Sequence, residues 1–301
     1  MANGEAGLIV VGIGELLWDE LPTGRQMGGA PANFAYHCQV LGANSVIVSA
    51  VGDDEAGRAI FEDLDQRRLD STHVGIDHRH PTGSVSVVFA GQGVPEYAIA
   101  EKVAWDYISR TSEQLELASE ADAVCFGTLA QRSPYSRKTI RSFLRVTQPN
   151  CLRIFDVNLR QAYYDHNLIR ENLSLANVLR LNESELIILA SLLGVQGETQ
   201  SLMDQLAATY ALNVIALTQA EHGCIIRTDE ETIRHDGFSQ DRILDTVGAG
   251  DCFSAVLTMG LLRDEPLDSI AAQANWLAAY VCTQEGGMPE MPLHRPAHQT
   301  T

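Results

Sequence analysis

The chain has 301 residues and carries 39 acidic against 21 basic side chains, a formal charge of −18 at pH 7. That balance excludes binding to nucleic acid through a broad phosphate-facing surface, because such binding draws its affinity from neutralising phosphates with Lys and Arg. A chain this long buries most of its unfolded surface and folds without disulfides or a structural metal, and 45% hydrophobic residues is ordinary for a globular protein.

In chain order, apolar runs at 8–13, 45–51, 123–126, 152–157, 178–181 and 213–217 read as strands. Most are rich in β-branched or aromatic residues and are bounded by Gly, Asn or Asp. Helical spacing appears between them. Phe34, Cys38 and Leu41 share one face that stops at Gly42, and further helices are expected over 56–64, 135–146, 183–193, 202–210, 252–262 and 270–283. Alternating strand and helix predicts an α/β fold, a doubly wound and mostly parallel sheet flanked by helices. Two pieces break the rhythm. One is 16–27, with the turn signal Leu21-Pro22-Thr23-Gly24; the other is 83–108, which reads as hairpin-like antiparallel strands. Together they predict a small β lid over about 15–27 and 83–108, on a single domain of residues 1–301.

The six cysteines, Cys38, Cys125, Cys151, Cys224, Cys252 and Cys282, form no C-x-x-C and no zinc spacing, so buried free thiols are expected. The amino terminus lacks a basic segment and no run reaches 18 apolar residues. A cytoplasmic protein with no membrane span and no nucleic-acid partner is expected. The run Gly12-Ile13-Gly14 follows a strand as a dinucleotide fingerprint does, but Leu17 occupies the third glycine, which argues against a nicotinamide enzyme. No Walker phosphate loop exists. His78 and His80 sit in a polar stretch that reads as an exposed loop rather than a metal site.

The most informative segment is Asp245-Thr246-Val247-Gly248-Ala249-Gly250-Asp251, leading into a helix. Gly-Ala-Gly at a helix start leaves backbone N–H groups unobstructed, and with the helix dipole they make an anion site. An aspartate there repels a phosphate but suits a general base. The helix start is expected to keep Asp251 ionised at neutral pH, ready to take a proton from a hydroxyl. A plain N-terminal helix aspartate is the alternative. The second segment is Gly28-Gly29-Ala30-Pro31-Ala32-Asn33. Gly28 and Gly29 allow close approach of a ligand, and Pro31 suits a first helical turn. Asn33 can read a hydroxyl pair, and Glu15 and Asp19, just upstream, suit sugar hydroxyls. A surface turn is the alternative.

These two segments, in this order and at this distance, resemble the two signatures of the ribokinase-like (PfkB) family of sugar kinases, over nearly the whole chain. The resemblance implies a doubly wound α/β domain with a β lid and ATP-dependent phosphorylation of a sugar. Asp251 would be the base, and the amides of Gly248, Ala249 and Gly250 the anion hole. Asn182 and Glu185 match the family's Asn-x-x-Glu motif, tied to Mg²⁺ and phosphate placement, with Glu185 acting through water; a plain helix start is the alternative. Thr218 and Gly223 match Thr-x-Gly-x-x-Gly beside the nucleotide, with Ala220 in place of the first glycine. Asn275 would line the adenine pocket, unless its helix face is solvated. Asp245 is a candidate for a monovalent cation such as K⁺, and a homodimer through the lid is implied.

Ala30-Pro31 in place of Lys-Gly, with Asp156-Val157-Asn158-Leu159-Arg160, resembles fructokinases and 2-keto-3-deoxygluconate kinases. A sugar acid needs a cationic partner, for which Arg160 is the candidate. A neutral hexose, fructose first, is expected, with Tyr97, Ile99 and Trp105 as lid contacts or lid core. The remaining alternatives are another sugar or nucleoside kinase and a non-catalytic sugar-binding protein on the same fold.

Overall fold

Strand β1 (Ile9–Ile13) sends successive side chains to opposite faces: Val10 joins one buried cluster and Val11 another, as a strand covered on both sides must. The computed structural model describes residues 7–21, 24–90, 94–238, 240 and 242–292. After β1 come β2 (Leu17–Leu21), β3 (Gly24–Gly28), α1 (Ala30–Val40), β4 (Asn44–Gly52), α2 (Glu55–Gln66) and β5 (Val74–Asp77). Next are β6 (Gly83–Ala90), β7 (Val94–Ile99), α3 (Ser112–Glu120), β8 (Ala123–Phe126), α4 (Pro134–Leu144), β9 (Leu152–Asp156) and α5 (His166–Leu175). The chain continues through β10 (Val178–Asn182), α6 (Glu183–Leu193), α7 (Thr199–Tyr210), β11 (Val214–Thr218), β12 (Cys224–Thr228), β13 (Thr232–His235), α8 (Ala249–Leu262) and α9 (Leu267–Val281).

Among the described residues the main sheet has nine strands in the order β13-β12-β11-β10-β9-β8-β1-β4-β5. It is parallel except at the β11–β12 and β12–β13 pairs. One face packs on α4 to α7, with Ile140, Ile169, Leu189 and Met203 in the core, and the other on α1, α8 and α9, with Phe34, Phe253 and Ala274. Strand order reverses at β1, which has β4 on one side and β8 on the other. In open α/β sheets the crevice at the carboxyl ends of the strands, at such a switch point, is where ligands bind.

All six strands expected in the main sheet are present. The periodicity missed α3 and α5, which are short, and β5, β12 and β13. The β12–β13 hairpin turns through Asp229-Glu230-Glu231, which carries no Gly or Asn turn signal. The cysteines are free, five of them buried. No described helix is long and apolar enough to cross a membrane.

The two irregular pieces pair with each other. A second sheet runs β3-β2-β6-β7, with β2 and β6 parallel (Trp18 opposite Ser84) and the outer pairs antiparallel. Pro22 and Thr23 of the expected turn, and the Tyr97 side chain, lie outside the described part of the structure. The root of this sheet is held by Arg132. Its guanidinium makes a two-bond pair with Asp106 (2.8 and 2.9 Å), donates to Ala100 O and stacks over Trp105 at 4.0 Å. Trp105 is fully buried and pressed against Gly83, so it is core at the root of the sheet rather than a contact on its open face.

Both partners of the Arg132–Asp106 pair are nearly buried, at 7% and 5% side-chain exposure. Removing one partner strands the other charge, a loss of about 3–5 kcal/mol. Asp106→Ala is expected to lower the urea midpoint accordingly with an unchanged denaturant slope; an unshifted midpoint would show that the pair does not anchor the sheet.

Candidate active site

The crevice at the carboxyl ends of β1, β9 and β10 collects most of the residues expected from sequence. Gly12 and Gly14, which imitate a dinucleotide fingerprint, have another use here. A Cβ on Gly12 would collide with the Pro31 carbonyl, and one on Gly14 would lie 2.8 Å from Pro31 Cγ. The glycines let the first turn of α1 sit directly on β1.

The Gly28-Gly29 pair is a packing device of the same kind. Gly28 opposes Leu17 across the β2–β3 ladder, and a Cβ there would strike Asp19 Oδ2; one on Gly29 would strike the Glu15 carbonyl. Asp19 is therefore laid against bare backbone at the mouth of the crevice. Burial, and secondarily the Asp245 charge, push its pKa up to about 6. Glu15 goes deeper, at 3% exposure. Burial raises its pKa, while its own backbone, the Arg160 charge and the backbone at Ala30 and Ala130 oppose the rise; Oε2 is left without a partner. The segment is not a surface turn, since residues 31–35 are all buried.

Helix α8 starts from Gly248, whose φ of 77° is the left-handed conformation that glycine adopts without penalty. No side chain caps this helix, so its first-turn amides point into the crevice. Asp251 is partly buried in that turn and accepts a 2.7 Å hydrogen bond from Asn33 Nδ2. Loss of water, and then repulsion from Asp156, push its pKa up to about 7; Asn33, Arg180 and Arg160 oppose the rise. This corrects the expectation from the helix start alone: the dipole's preference for the anion is outweighed by desolvation and a second carboxylate.

Asp156, at the end of β9, is fixed by Ser254 Oγ at 2.7 Å and by Arg180 Nη1 at 3.2 Å. Arg180 also donates to Thr218 Oγ1 at 3.1 Å. Glu185 takes the Asn182 amide at 2.9 Å and the Leu159 amide at 3.0 Å, while Asn182 Oδ1 caps α6 through the Glu185 amide. The Asn182/Glu185 pair is thus a capping box that also pins the loop carrying Arg160. Arg160 itself is exposed, donates to the Leu159 carbonyl at 3.2 Å, and its charge reaches Glu15, Asp19 and Asp251.

On the far side, Ala220 holds φ at 49°, the left-handed region where a Cβ costs about 1–2 kcal/mol. The turn expected from a glycine is kept with alanine in it. A Cβ on Gly223 would meet the His235 carbonyl and, at 2.5 Å, Gly237 N, so this loop is closed on the segment after β13. Asn275 is buried rather than solvated, and its amide lies 3.3 Å from Cys224 Sγ and 3.2 Å from His235 Nδ1.

Sequence reading missed a strap, residues 284–290. Gly286 packs on Gln26 of β3 and its amide lies 3.3 Å from Asp245 Oδ2. Gly287 packs on Gly248 and within 2.6 Å of Asn33 Nδ2, measured from the Cβ it lacks, and its carbonyl meets buried His37 Nε2 at 2.9 Å. Burial lowers the His37 pKa to about 4, so the ring is neutral and donates this bond. The Gly286-Gly287 pair was the available signal. The other miss was Arg180, a lone charge inside the apolar run Val178-Leu179-Arg180-Leu181. Among the described residues no cluster of three or more His, Cys, Asp or Glu forms a metal cage.

The model of the pfkB family of carbohydrate kinases matches residues 19–293. A fructokinase of Salmonella typhimurium is 27% identical over 300 residues, 94% of this chain and 96% of its own. An uncharacterized sugar kinase of Pyrococcus horikoshii, solved in complex with ATP, is 27% identical, covers 93% of this chain and 94% of its own, and has a TM-score of 0.77. A fructokinase of Vibrio cholerae O395 with fructose, ADP and calcium ion bound shares the fold at a TM-score of 0.76 and 22% identity, covering 94% of each chain. The family match spans most of the length and the two-sheet architecture agrees with it: the chain belongs to the pfkB family of carbohydrate kinases and is a sugar kinase.

Proposed function

We propose that the protein transfers the γ-phosphoryl of ATP to a hydroxyl of a neutral hexose, fructose first, with Asp251 as the base. The observation that carries this reading is the Asn33–Asp251 hydrogen bond of 2.7 Å at the uncapped start of α8. It joins the sugar-side segment to the anion-binding segment at a single carboxylate. The sugar lies over Asp19 and Gly28-Gly29, with Glu15 bracing the turn beneath. Asp251 takes the hydroxyl proton and aims the oxygen, and the amides of Gly248, Ala249 and Gly250 receive the negative charge that develops on the phosphoryl oxygens. Asn33 holds the base in line. The second sheet serves as the lid, closing over the sugar to exclude water that would compete as acceptor.

ATP lies toward Asn182, Thr218 and Gly223, with Asn275 behind the adenine side. A magnesium ion bound with the nucleotide would offset the charge of its phosphate oxygens. The absence of a protein cage among the described residues fits an ion carried in by the nucleotide, with Glu185, whose oxygens already hold two amides, acting at most through water. Asp245 fits a monovalent cation such as K⁺: its charge adds to the rise in the Asp19 pKa, an acid pair that a cation would relieve.

A sugar acid is the second reading, since Arg160 faces the crevice. The local charge favours a neutral sugar, because Arg160 is shared by Glu15, Asp19 and Asp251. A panel of sugars, sugar acids and nucleosides with Mg²⁺-ATP tests this. Fructose or a related neutral hexose is expected to give the highest kcat/KM; phosphorylation of 2-keto-3-deoxygluconate alone would install the second reading, and no turnover at all would leave a non-catalytic binding protein.

A base with its pKa raised to about 7 in the free protein must be deprotonated to work, so kcat/KM is expected to fall about tenfold per pH unit below that value and to level off above it. Asp251→Asn is expected to fold, to bind sugar and ATP within a few fold, and to lose at least about a hundredfold in kcat at every pH. A folded Asp251→Asn protein that keeps most of its turnover would reduce Asp251 to a helix-start residue.

Asp19 contacts the sugar in ground and transition states alike, so its loss appears in KM. Asp19→Ala leaves a sugar hydroxyl without its acceptor, about 1–3 kcal/mol, or a ten- to hundredfold rise in KM for the sugar. An unchanged KM would mean that the carboxylate points away from the sugar.

A further inference from the structure

Arg180 leaves β10 two residues before Asn182 and ends beneath the first turn of α8. Its side chain is 11% exposed. Its Nη1 lies 3.2 Å from Asp156 Oδ1 on β9, and its Nη2 donates to Thr218 Oγ1 on β11 at 3.1 Å. A Cβ at Gly250 would come within 2.6 Å of Nη2 and 2.8 Å of Nη1, so the guanidinium fills the space that any side chain at Gly250 would need. Asp156 is in turn tied to α8 through Ser254. The cation is therefore fixed on three sides, and its Nε is buried without a partner.

We propose that Arg180 is a positioning residue for phosphoryl transfer, a fixed cation against Gly250 that holds the first turn of α8 in register and keeps Asp251 in its working, anionic state. This rests on the reading of Asp251 as the base. The groups facing Asp251 are Asp156 from β9, Arg180 from β10, Arg160 from the loop after β9, Cys125 from β8, Asn33 from α1 and its own neighbour Cys252. Asp156 opposes the charge, and both thiols are pushed above their ordinary range, which leaves them neutral. Arg160 is exposed and screened by water. Arg180 is the cation in this group that is withdrawn from solvent, where its field on two neighbouring carboxylates is least screened.

The guanidinium suits this place in a way an ammonium does not. Its planar fork reaches Asp156 and Thr218 together while lying against a glycine backbone. The same fixed charge sits beside the amides that meet the transferred phosphoryl, where a cation already in place needs no reorganisation during the reaction. An ion pair that served stability alone would require Asp156 and not the contact with Gly250.

The test compares wild type, Arg180→Gln, Arg180→Lys, Asp156→Asn and Asp251→Asn, with folding checked by circular dichroism and kinetics measured from about pH 5.5 to 9. Arg180→Gln is expected to move the acid limb of kcat/KM up by at least about one pH unit and to lower plateau kcat by about tenfold or more, with the KM for sugar within a few fold. Arg180→Lys is expected to bring the limb back toward wild type. Asp156→Asn, which removes the opposing acid, is expected to move the limb down; if Arg180→Gln fails to fold, Arg180→Lys decides the matter, since loss of the fork against Gly250 is expected to lower plateau kcat while the retained charge holds the limb near wild type. A folded Arg180→Gln protein whose acid limb stays at the wild-type position, or a folded Arg180→Lys protein that keeps the wild-type plateau kcat, overturns the proposal. Should Asp251→Asn retain turnover, the base assignment fails instead, so the two failures are told apart.

Discussion

The site depends on a carboxylate that the fold withdraws from water without leaving it alone. Asp251 stands in the first turn of α8 with Asn33 at 2.7 Å and Asp156 close behind it. Two neighbouring acids in a poorly solvated place repel, and their proton affinity rises. Arg180 is the counterweight, and its own charge is reinforced by Asp156, Glu185 and Asp251 in spite of burial. The raised proton affinity comes first from withdrawal from water and then from Asp156 on β9, with Arg180 on β10 pulling the other way, and a proton affinity near neutrality is what the proposed base requires.

Close approach of backbones makes that arrangement possible. Helix α1 sits on β1 because Gly12 and Gly14 leave room for Pro31. The strap sits on α1 and on the α8 entry because Gly287 meets Asn33 and Gly248 without a side chain of its own. Through Gly286 the strap also touches Gln26 of the second sheet and the amide joined to Asp245. One short segment thus meets β3 of the second sheet, α1 and the turn that enters α8. These contacts join the second sheet to the first turn of α8 by direct packing.

The second sheet is anchored differently. Its root is a charge pair, Arg132 with Asp106, roofed by Trp105, and Arg132 also grips the carbonyl at the end of β7. Of the two places open to Trp105, lid contact or lid core, it takes the core at that root, while Asp19 of the same sheet lies against the bare backbone of Gly28.

The sequence by itself determined the class of fold, because alternating apolar runs and helical stripes record burial on two faces of a parallel sheet. It also singled out the two segments that the fold brings together at Asn33 and Asp251, since glycines, an asparagine and an aspartate in those orders carry local chemistry that survives without a partner. It missed the β12–β13 hairpin, whose turn has no glycine or asparagine, and α3 and α5, too short to show a stripe. Only the tertiary structure decided what each site residue touches. Asn33 meets Asp251 across 218 positions of chain, and Asp156 meets Ser254 across 98. A helix start alone predicts an ionised Asp251; burial and the Asp156 carboxylate of β9 overrule it, against the pull of Arg180 from β10 and Asn33 from α1, and no local pattern encodes a distance between segments so far apart.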